Sequence, residues 1–400
     1  MRCRPLAVVV GARRGRPEPL QVYGSYTPGV PSSTASPVVA FDAGPLHGPA
    51  TGIARATAGM HDAIRSEGVG VIPYVLSFRA RLRPGTVRLR YPAALALRTW
   101  ARIDRPDPTR ALRRAGAVEL VHGTNYVVPP SRLPRLVSVY DCWALAHPDS
   151  VHRDVRLMMA ALGRAIDTGA HVHASSHATA ARLREIFPGV AVTTIHLGAP
   201  DVPSGGSWTP LVPEGEPYVL SLGTIERRKN LPFLVSSMTE VLARLPRLRL
   251  VIAGGDGDDR RAVDAAVDAL PSTARERVHL IGRVDDAVAV ELLRRASVLA
   301  YPSLDEGFGF PVLEAMSVGT PVVASNVGSI PEVAGDAALL CGPRDSTAWA
   351  EALCSAVEDD TLRGRLSGEG RLRAAGFSWA TTGRSLADLY RGLVEGRVDR

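Results

Sequence analysis

Short apolar runs alternate with stretches of helical period along most of the chain. From residue 37 the sequence reads VVAFDAG, a short strand entering a glycine and proline loop. GIARATAGMHDAI then places Ile53, Ala56, Met60 and Ile64 on one side of a helix that begins at Gly52 and stops near Gly68. The same reading predicts strands over 71–78, from 118, over 136–140, 171–175 and 190–195, with helices over 93–103, 151–167 and 176–186. At 196–206 HLGAPDVPSGG breaks every regular pattern, as a linker does. A second series follows, with strands at 218–222, 248–253, 278–280 and 296–301 and helices from Leu231, over 260–269, over 285–295 and from Pro311. TPVVAS and AALLCGP read as two more strands around a short helix in GSIPEVAG, and helices are expected over 346–357, 360–375 and 379–394.

Strand and helix alternating with short loops predict an α/β protein of two doubly wound, Rossmann-like domains, each a parallel sheet covered on both faces. The expected divisions are an extension without periodicity over 1–36, a first domain over 37–195, a linker over 196–212, a second domain over 213–380, and a last helical segment over 381–400. Two domains joined at such a linker face a central cleft.

Candidate chemistry concentrates in SLDEGFGFPVLEAMSVGTPVVAS, which follows the strand at 296–301. Proline suits the opening of a helix, because the N–H it lacks has no partner there. Gly307, Phe308, Gly309 and Phe310 thus fall at the positive end of a helix, where backbone amides can hold an anion, between the two acids Glu306 and Glu314. Upstream, YVLSLGTIERRKNL is a strand entering a loop opened by Gly223 that carries Arg227, Arg228 and Lys229 into another helix start. Lys229 is the one lysine in the chain, among 46 arginines, which suggests a place where a compact ammonium is required. Asp141 ends the strand at 136–140, where doubly wound sheets place ligands.

From residue 302 to 325 the string is complete for the pattern PS-x-x-EGFG-x-P-x-x-EAM-x-x-G-x-PV-x-x-S. It resembles the nucleotide-sugar site of the retaining glycosyltransferases of family 4, which have the GT-B fold. The resemblance implies that Glu306 holds hydroxyls of a donor hexose and Glu314 those of the ribose. Arg228, Lys229 and the amides of residues 307–310 would neutralise the departing diphosphate without a metal. It also brings Gly52 toward the donor phosphate from the first domain, sets Arg283 and Val284 against the base, and sets Asp141 near the donor sugar and acceptor. Relatives usually read His-Asp-Leu where this chain has Tyr140, Asp141 and Cys142, so the histidine has no match. His122 and His147 lie nearby, although a lone histidine is more often packed and paired.

The implied activity is transfer of a hexose from a nucleotide sugar to a hydroxyl of a glycan, lipid-linked or small-molecule acceptor, with the configuration retained and no cofactor beyond the co-substrate. GDP-mannose is the first donor expected and a UDP-hexose the second. A phosphorylase would need a cofactor lysine late in the second domain. A binding protein that keeps the fold without turnover is the remaining alternative. Asp256-Gly257-Asp258 resembles a metal-binding DxD triplet but follows two glycines at a turn, and no metal is expected.

Charge adds one refinement. Residues 1–200 hold 25 arginines against 12 acids, whereas residues 201–400 hold 22 bases and 28 acids. Such a surplus suits an anionic membrane surface or a phosphorylated acceptor, unless the arginines simply solvate helix faces. Nucleic acid is not expected, since no helix-turn-helix, zinc or stacking pattern accompanies the charge. No apolar run reaches the roughly eighteen residues of a membrane span. Cys3, Cys142, Cys341 and Cys354 show neither pairing nor metal spacing, so free thiols in a reducing cytoplasm are expected.

Overall fold

Blocks of apolar residues build two parallel sheets in the computed structural model, which describes residues 36–48, 51–77, 80, 82, 84–200 and 215–398. The extension expected at the start lies, but for Ser36, outside the described residues, as does the linker from residue 201 onward. The first sheet contains β1 (Val38–Asp42), β2 (Gly70–Leu76), β3 (Val87–Leu89), β4 (Leu120–Gly123), β5 (Arg135–Val139), β6 (His171–Ala174) and β7 (Val192–Thr194). Its seven strands run in the order β3-β2-β1-β4-β5-β6-β7, all parallel. Val39 of β1 pairs with Val71 on one side and Leu120 on the other.

The second sheet comprises β8 (Tyr218–Leu222), β9 (Arg249–Ala253), β10 (Val278–Gly282), β11 (Val298–Tyr301), β12 (Val322–Ser325) and β13 (Leu339–Cys341). Its order is β10-β9-β8-β11-β12-β13, again parallel. The two lobes therefore share one logic. In each the chain winds outward from its first strand, then returns and winds the other way, so that a crevice opens at the carboxyl ends of the central strands. The loops that follow β1, β5, β8 and β11 all emerge at such ends, and they carry the candidate chemistry.

Burial follows the alternation of side chains along the strands. Leu220, Val251, Leu299 and Val322 of the second sheet join the apolar core continuous with the first lobe. Their neighbours Val219, Leu250, Ile252 and Val298 point to the opposite face, around Trp349 and the helix Leu231–Arg244. The last helix, Trp379–Val394, lies on the helix Gly52–Ser66 of the first lobe. Backbones meet closely there, since a Cβ at Gly383 would stand 2.6 Å from the Ala63 carbonyl oxygen.

β3 is an edge strand of three residues, and the helices Trp143–Ala146 and Thr109–Arg113 are single turns held by tertiary contacts. Short elements such as these have no signal in the apolar pattern. The helix expected over 93–103 ends at Trp100. Cys142, Cys341 and Cys354 are buried free thiols. No helix among the described residues is long and apolar enough to cross a membrane.

Candidate active site

Lys229 and Arg228 owe their placement to backbone locks. After β8 the chain passes Gly223, at φ 142°, and forms a single turn over Arg227–Lys229. Asn230 then sits at φ 55°, in the left-handed region that asparagine tolerates better than most residues. Its Nδ2 donates to the carbonyls of Pro302 at 3.2 Å and Pro343 at 2.9 Å. The Leu304 N–H donates to the Arg228 carbonyl at 2.8 Å, tying the loop after β8 to the loop after β11.

Both cations reach Glu306. Its Oε2 lies 2.7 Å from Lys229 Nζ and 2.9 Å from Arg228 Nη1, and it accepts the Tyr301 hydroxyl at 2.5 Å. Lys229 also donates to the Tyr301 oxygen and stands 4.5 Å from that ring's centroid. Glu306 is only 9% exposed. Burial pushes its carboxyl up, but Arg228 and Lys229 together outweigh burial and hold it well below the usual carboxylate range. Burial lowers the Lys229 ammonium, with Glu306 opposing. Burial also acts against the Arg228 cation, yet Glu306 and Asp141 keep it firmly charged. Asp305 caps the Glu306 N–H at 2.8 Å, and burial together with Asp141 raises its carboxyl.

The next four residues turn the chain into the helix Phe310–Val318. Gly309, at φ 91°, is its N-cap, and Pro311 sits in its first turn. Gly307 is pressed against the first lobe, because a Cβ there would fall 1.5 Å from the Tyr140 carbonyl oxygen. Ser175 Oγ donates to the carbonyls of both Tyr140 and Gly307, at 3.2 and 3.1 Å, and Thr179 Oγ1 reaches the same pair. Phe308 and Phe310 bury their rings against each other, with centroids 5.3 Å apart. The amides of residues 307–310 meet no acceptor among the described residues, which leaves a cluster of N–H donors at the positive end of the helix. Gly52 opens the helix Gly52–Ser66 opposite, and a Cβ on it would lie 3.7 Å from Phe310 Cδ2.

Glu314, one turn into the helix, is 7% exposed. Burial raises its carboxyl, and Arg55 from the first lobe opposes that rise through an ion pair to Oε1. The other terminal nitrogen of Arg55 pairs with Asp286, just beyond Arg283 and Val284 in the loop after β10. Val284 is partly buried against the core.

Asp141 and Glu306 line one cavity of about 640 Å³ between the lobes, together with Asp305, Trp143, His147 and Arg182. The Asp141 side chain accepts the Trp143 N–H at 3.0 Å, and the indole stacks on His147 with ring centroids 4.0 Å apart. Tyr140 does not enter this cavity: its hydroxyl donates to the Thr124 carbonyl at 2.7 Å inside the first lobe. His122 is fully buried, bonded at 2.8 Å to both Tyr390 Oη and Ser138 Oγ, and burial with His173 nearby keeps its ring well below ordinary imidazole basicity. It packs and takes no place in the site. Asp256 and Asp258 are taken by Arg260 and Arg227.

Thus Lys229, Arg228, Glu306 and the amides of residues 307–310 come together, Glu314 and Gly52 lie along the same helix starts, and Arg283 with Val284 flanks the Glu314 end. Two participants, Tyr301 and Arg55, escape sequence reasoning. Tyr301 reads as the end of an apolar strand, and Arg55 as one more arginine on a solvated helix face; only its place one turn after Gly52 could have marked it.

Residues 207–373 match the family model of glycosyl transferases group 1. The chain is 30% identical over 287 residues to the O-antigen chain mannosyltransferase B of Escherichia coli, covering 68% of this chain and 74% of that one. It is 31% identical over 200 residues to the D-inositol 3-phosphate glycosyltransferase of Corynebacterium efficiens, but spans only 46% of that protein's length. The sucrose-phosphate synthase of Thermosynechococcus elongatus superposes with a TM-score of 0.69 over 90% of this chain and 100% of its own, at 20% identity. With its pair of Rossmann-like lobes and this helix-start site between them, the chain belongs to the glycosyl transferases group 1, and it is a glycosyltransferase of GT-B fold.

Proposed function

We propose that the protein is a retaining hexosyltransferase that needs no metal ion, taking mannose from GDP-mannose to a hydroxyl of a glycan, lipid-linked or small-molecule acceptor. The observation that carries this reading is the convergence of Lys229 and Arg228 on Glu306 beside the free amides of residues 307–310. Glycosyl transfer builds positive charge on the sugar ring and negative charge on the departing diphosphate. Fixed cations and amide dipoles at that diphosphate lower the barrier, because they need no reorganisation as the charge grows. Glu306, kept ionised, accepts hydroxyls of the hexose, and Glu314 accepts those of the ribose. Gly52 approaches the phosphates from the first lobe, and Arg283 and Val284 face the base.

In the transfer step the acceptor oxygen bonds to the anomeric carbon on the face that the diphosphate leaves. The bond from that carbon to the phosphate oxygen breaks, and the acceptor's proton passes to the departing phosphate. The cavity holding Asp141, Trp143 and His147 opens beside Glu306 and suits the acceptor: an aromatic face and carboxylates are the groups that bind sugar rings. The likeness to a mannosyltransferase supports mannose as the sugar moved. The arginine surplus of residues 1–200 favours an acceptor presented with phosphate or at an anionic membrane surface.

Thermal protection by nucleoside diphosphates, followed by turnover of a panel of nucleotide sugars, tests the donor. Protection by GDP and transfer from GDP-mannose are expected, whereas turnover of UDP-hexoses alone would replace mannose with the second donor. Lys229→Ala and Glu306→Ala should each reduce transfer by about a hundredfold or more, the scale seen when a transition-state charge partner is removed. Full activity in either variant would remove the assigned roles.

A further inference from the structure

Glu314 is buried in the second lobe, yet its counter-charge comes from the first. Among the described residues the charged groups that face it are Arg55, from the helix Gly52–Ser66, and Asp286, from the helix Asp286–Arg295. The helix Asp360–Ala375, which also packs on Phe310–Val318, sends Arg371 to the Val318 carbonyl at the other end of the helix, 3.2 Å away. A carboxylate removed from water needs a hydrogen-bonded partner of opposite charge, and here that partner is a guanidinium reaching across the cleft. Arg55 spends one terminal nitrogen on Glu314 Oε1 and the other on Asp286 Oδ1, a fork that a single ammonium could not reproduce. Among the described residues Glu314 Oε2 carries no protein bond, which leaves it to accept from a ligand.

We propose that Arg55 is a positioning residue for the donor's ribose: it holds the Glu314 carboxylate in place from the opposite lobe, so that recognition of the 2′- and 3′-hydroxyls depends on the two lobes being together. The inference rests on the donor-site reading above, in which Glu314 receives those hydroxyls. Asp286 extends the bridge to the loop of Arg283 and Val284, so one arginine links the first-lobe helix, the ribose acid and the base loop. The sign of the pH effect follows from burial. Glu314 is raised by burial and held down by Arg55, and only its ionised form accepts from both hydroxyls. Without Arg55 it keeps its proton to higher pH.

The test compares dissociation constants of GDP and UDP with those of their 2′,3′-dideoxy forms, between pH 6 and pH 9, for wild-type protein, Arg55→Met and Arg55→Lys. Wild type should prefer the ribose forms by about tenfold at every pH, as expected for hydrogen bonds to a charged group. Arg55→Met should weaken that preference, most at the acid end of the range and less as pH rises, with the dideoxy forms bound equally well throughout. Arg55→Lys should fall between the two, and it carries the comparison if the methionine variant does not fold. An unchanged ribose preference in both variants at all pH values overturns the role of Arg55 and leaves the donor site standing. A wild type that binds nucleotide without regard to the ribose hydroxyls overturns the assignment of Glu314, and with it this inference.

Discussion

Burial, acting alone, would protonate carboxylates on this protein's inner surfaces, and each escapes or yields according to its partners. Glu306 escapes because Arg228 and Lys229 both stand within hydrogen-bonding reach. Asp42 yields. At the carboxyl end of β1 it accepts the Gly44 N–H at 2.8 Å, but no cation among the described residues faces it, and burial pushes its carboxyl up to about 7. In the unfolded chain the same group titrates near 3.8. As pH rises through that interval the unfolded state sheds its proton first, so stability falls with rising pH and levels off above about 7. Asp42→Asn has no proton to lose. Its stability relative to wild type should improve by about 2 kcal/mol between pH 4 and pH 8, roughly half the full linkage because the side chain is only half-buried. Denaturation midpoints of both proteins at the two pH values measure this, and a difference that stays constant across them would show that Asp42 is ionised in the fold. Such environments are invisible in sequence. The Lys229 and Glu306 positions were legible because each sits in a loop whose residue types announce an anion site, whereas Arg55 and Glu314 meet across 259 residues with no local pattern to join them.

At the scale of elements, the loop entering the helix Phe310–Val318 is shaped by the other lobe. Gly307 lies under the Tyr140 carbonyl, and its own carbonyl takes hydrogen bonds from Ser175, just after β6, and from Thr179 in the first turn of the helix His177–Ile186. A methyl group there meets backbone rather than a side chain that could swing away. Gly307→Ala must therefore lift the loop from the first lobe or open the lobes, misplacing the amides by an ångström or more. Activity should fall by about a hundredfold, the usual cost of misaligned reacting groups. The melting temperature should drop only modestly, since the second lobe's core does not include this contact. A kinetic assay beside a thermal melt checks both, and retained activity would mean that the loop does not need this seat. The strands and long helices of both lobes were readable because their apolar period runs over many residues. The requirement for glycine at 307 comes from a carbonyl supplied 167 residues earlier in the chain, a partner that no local pattern names.

Across the whole molecule, the last helix decides how the lobes meet. The Trp379 ring lies against Gly59 of the helix Gly52–Ser66 and against Gly198 in the connection between lobes, where a Cβ would stand 2.3 and 2.5 Å from it. It lines a cavity of about 500 Å³ that also holds Arg55, Glu314 and Asp286. The indole thus fills the seam behind the ion pair that joins the lobes. Trp379→Ala leaves that seam unfilled and should cost about 2–3 kcal/mol, less than a fully buried tryptophan because the ring keeps some exposure. The consequence for function follows from geometry. The helix that bears Gly52 and Arg55 loses its brace, so a larger share of molecules has its lobes apart, and a donor must use part of its binding energy to draw them together. Donor KM should rise about fivefold with kcat nearly unchanged, because the chemistry within a closed molecule is the same. Trp379→Phe, which keeps a ring in the seam, should restore most of both losses. Stability lost with donor KM unchanged would show that the last helix only covers the first lobe and has no part in setting the cleft.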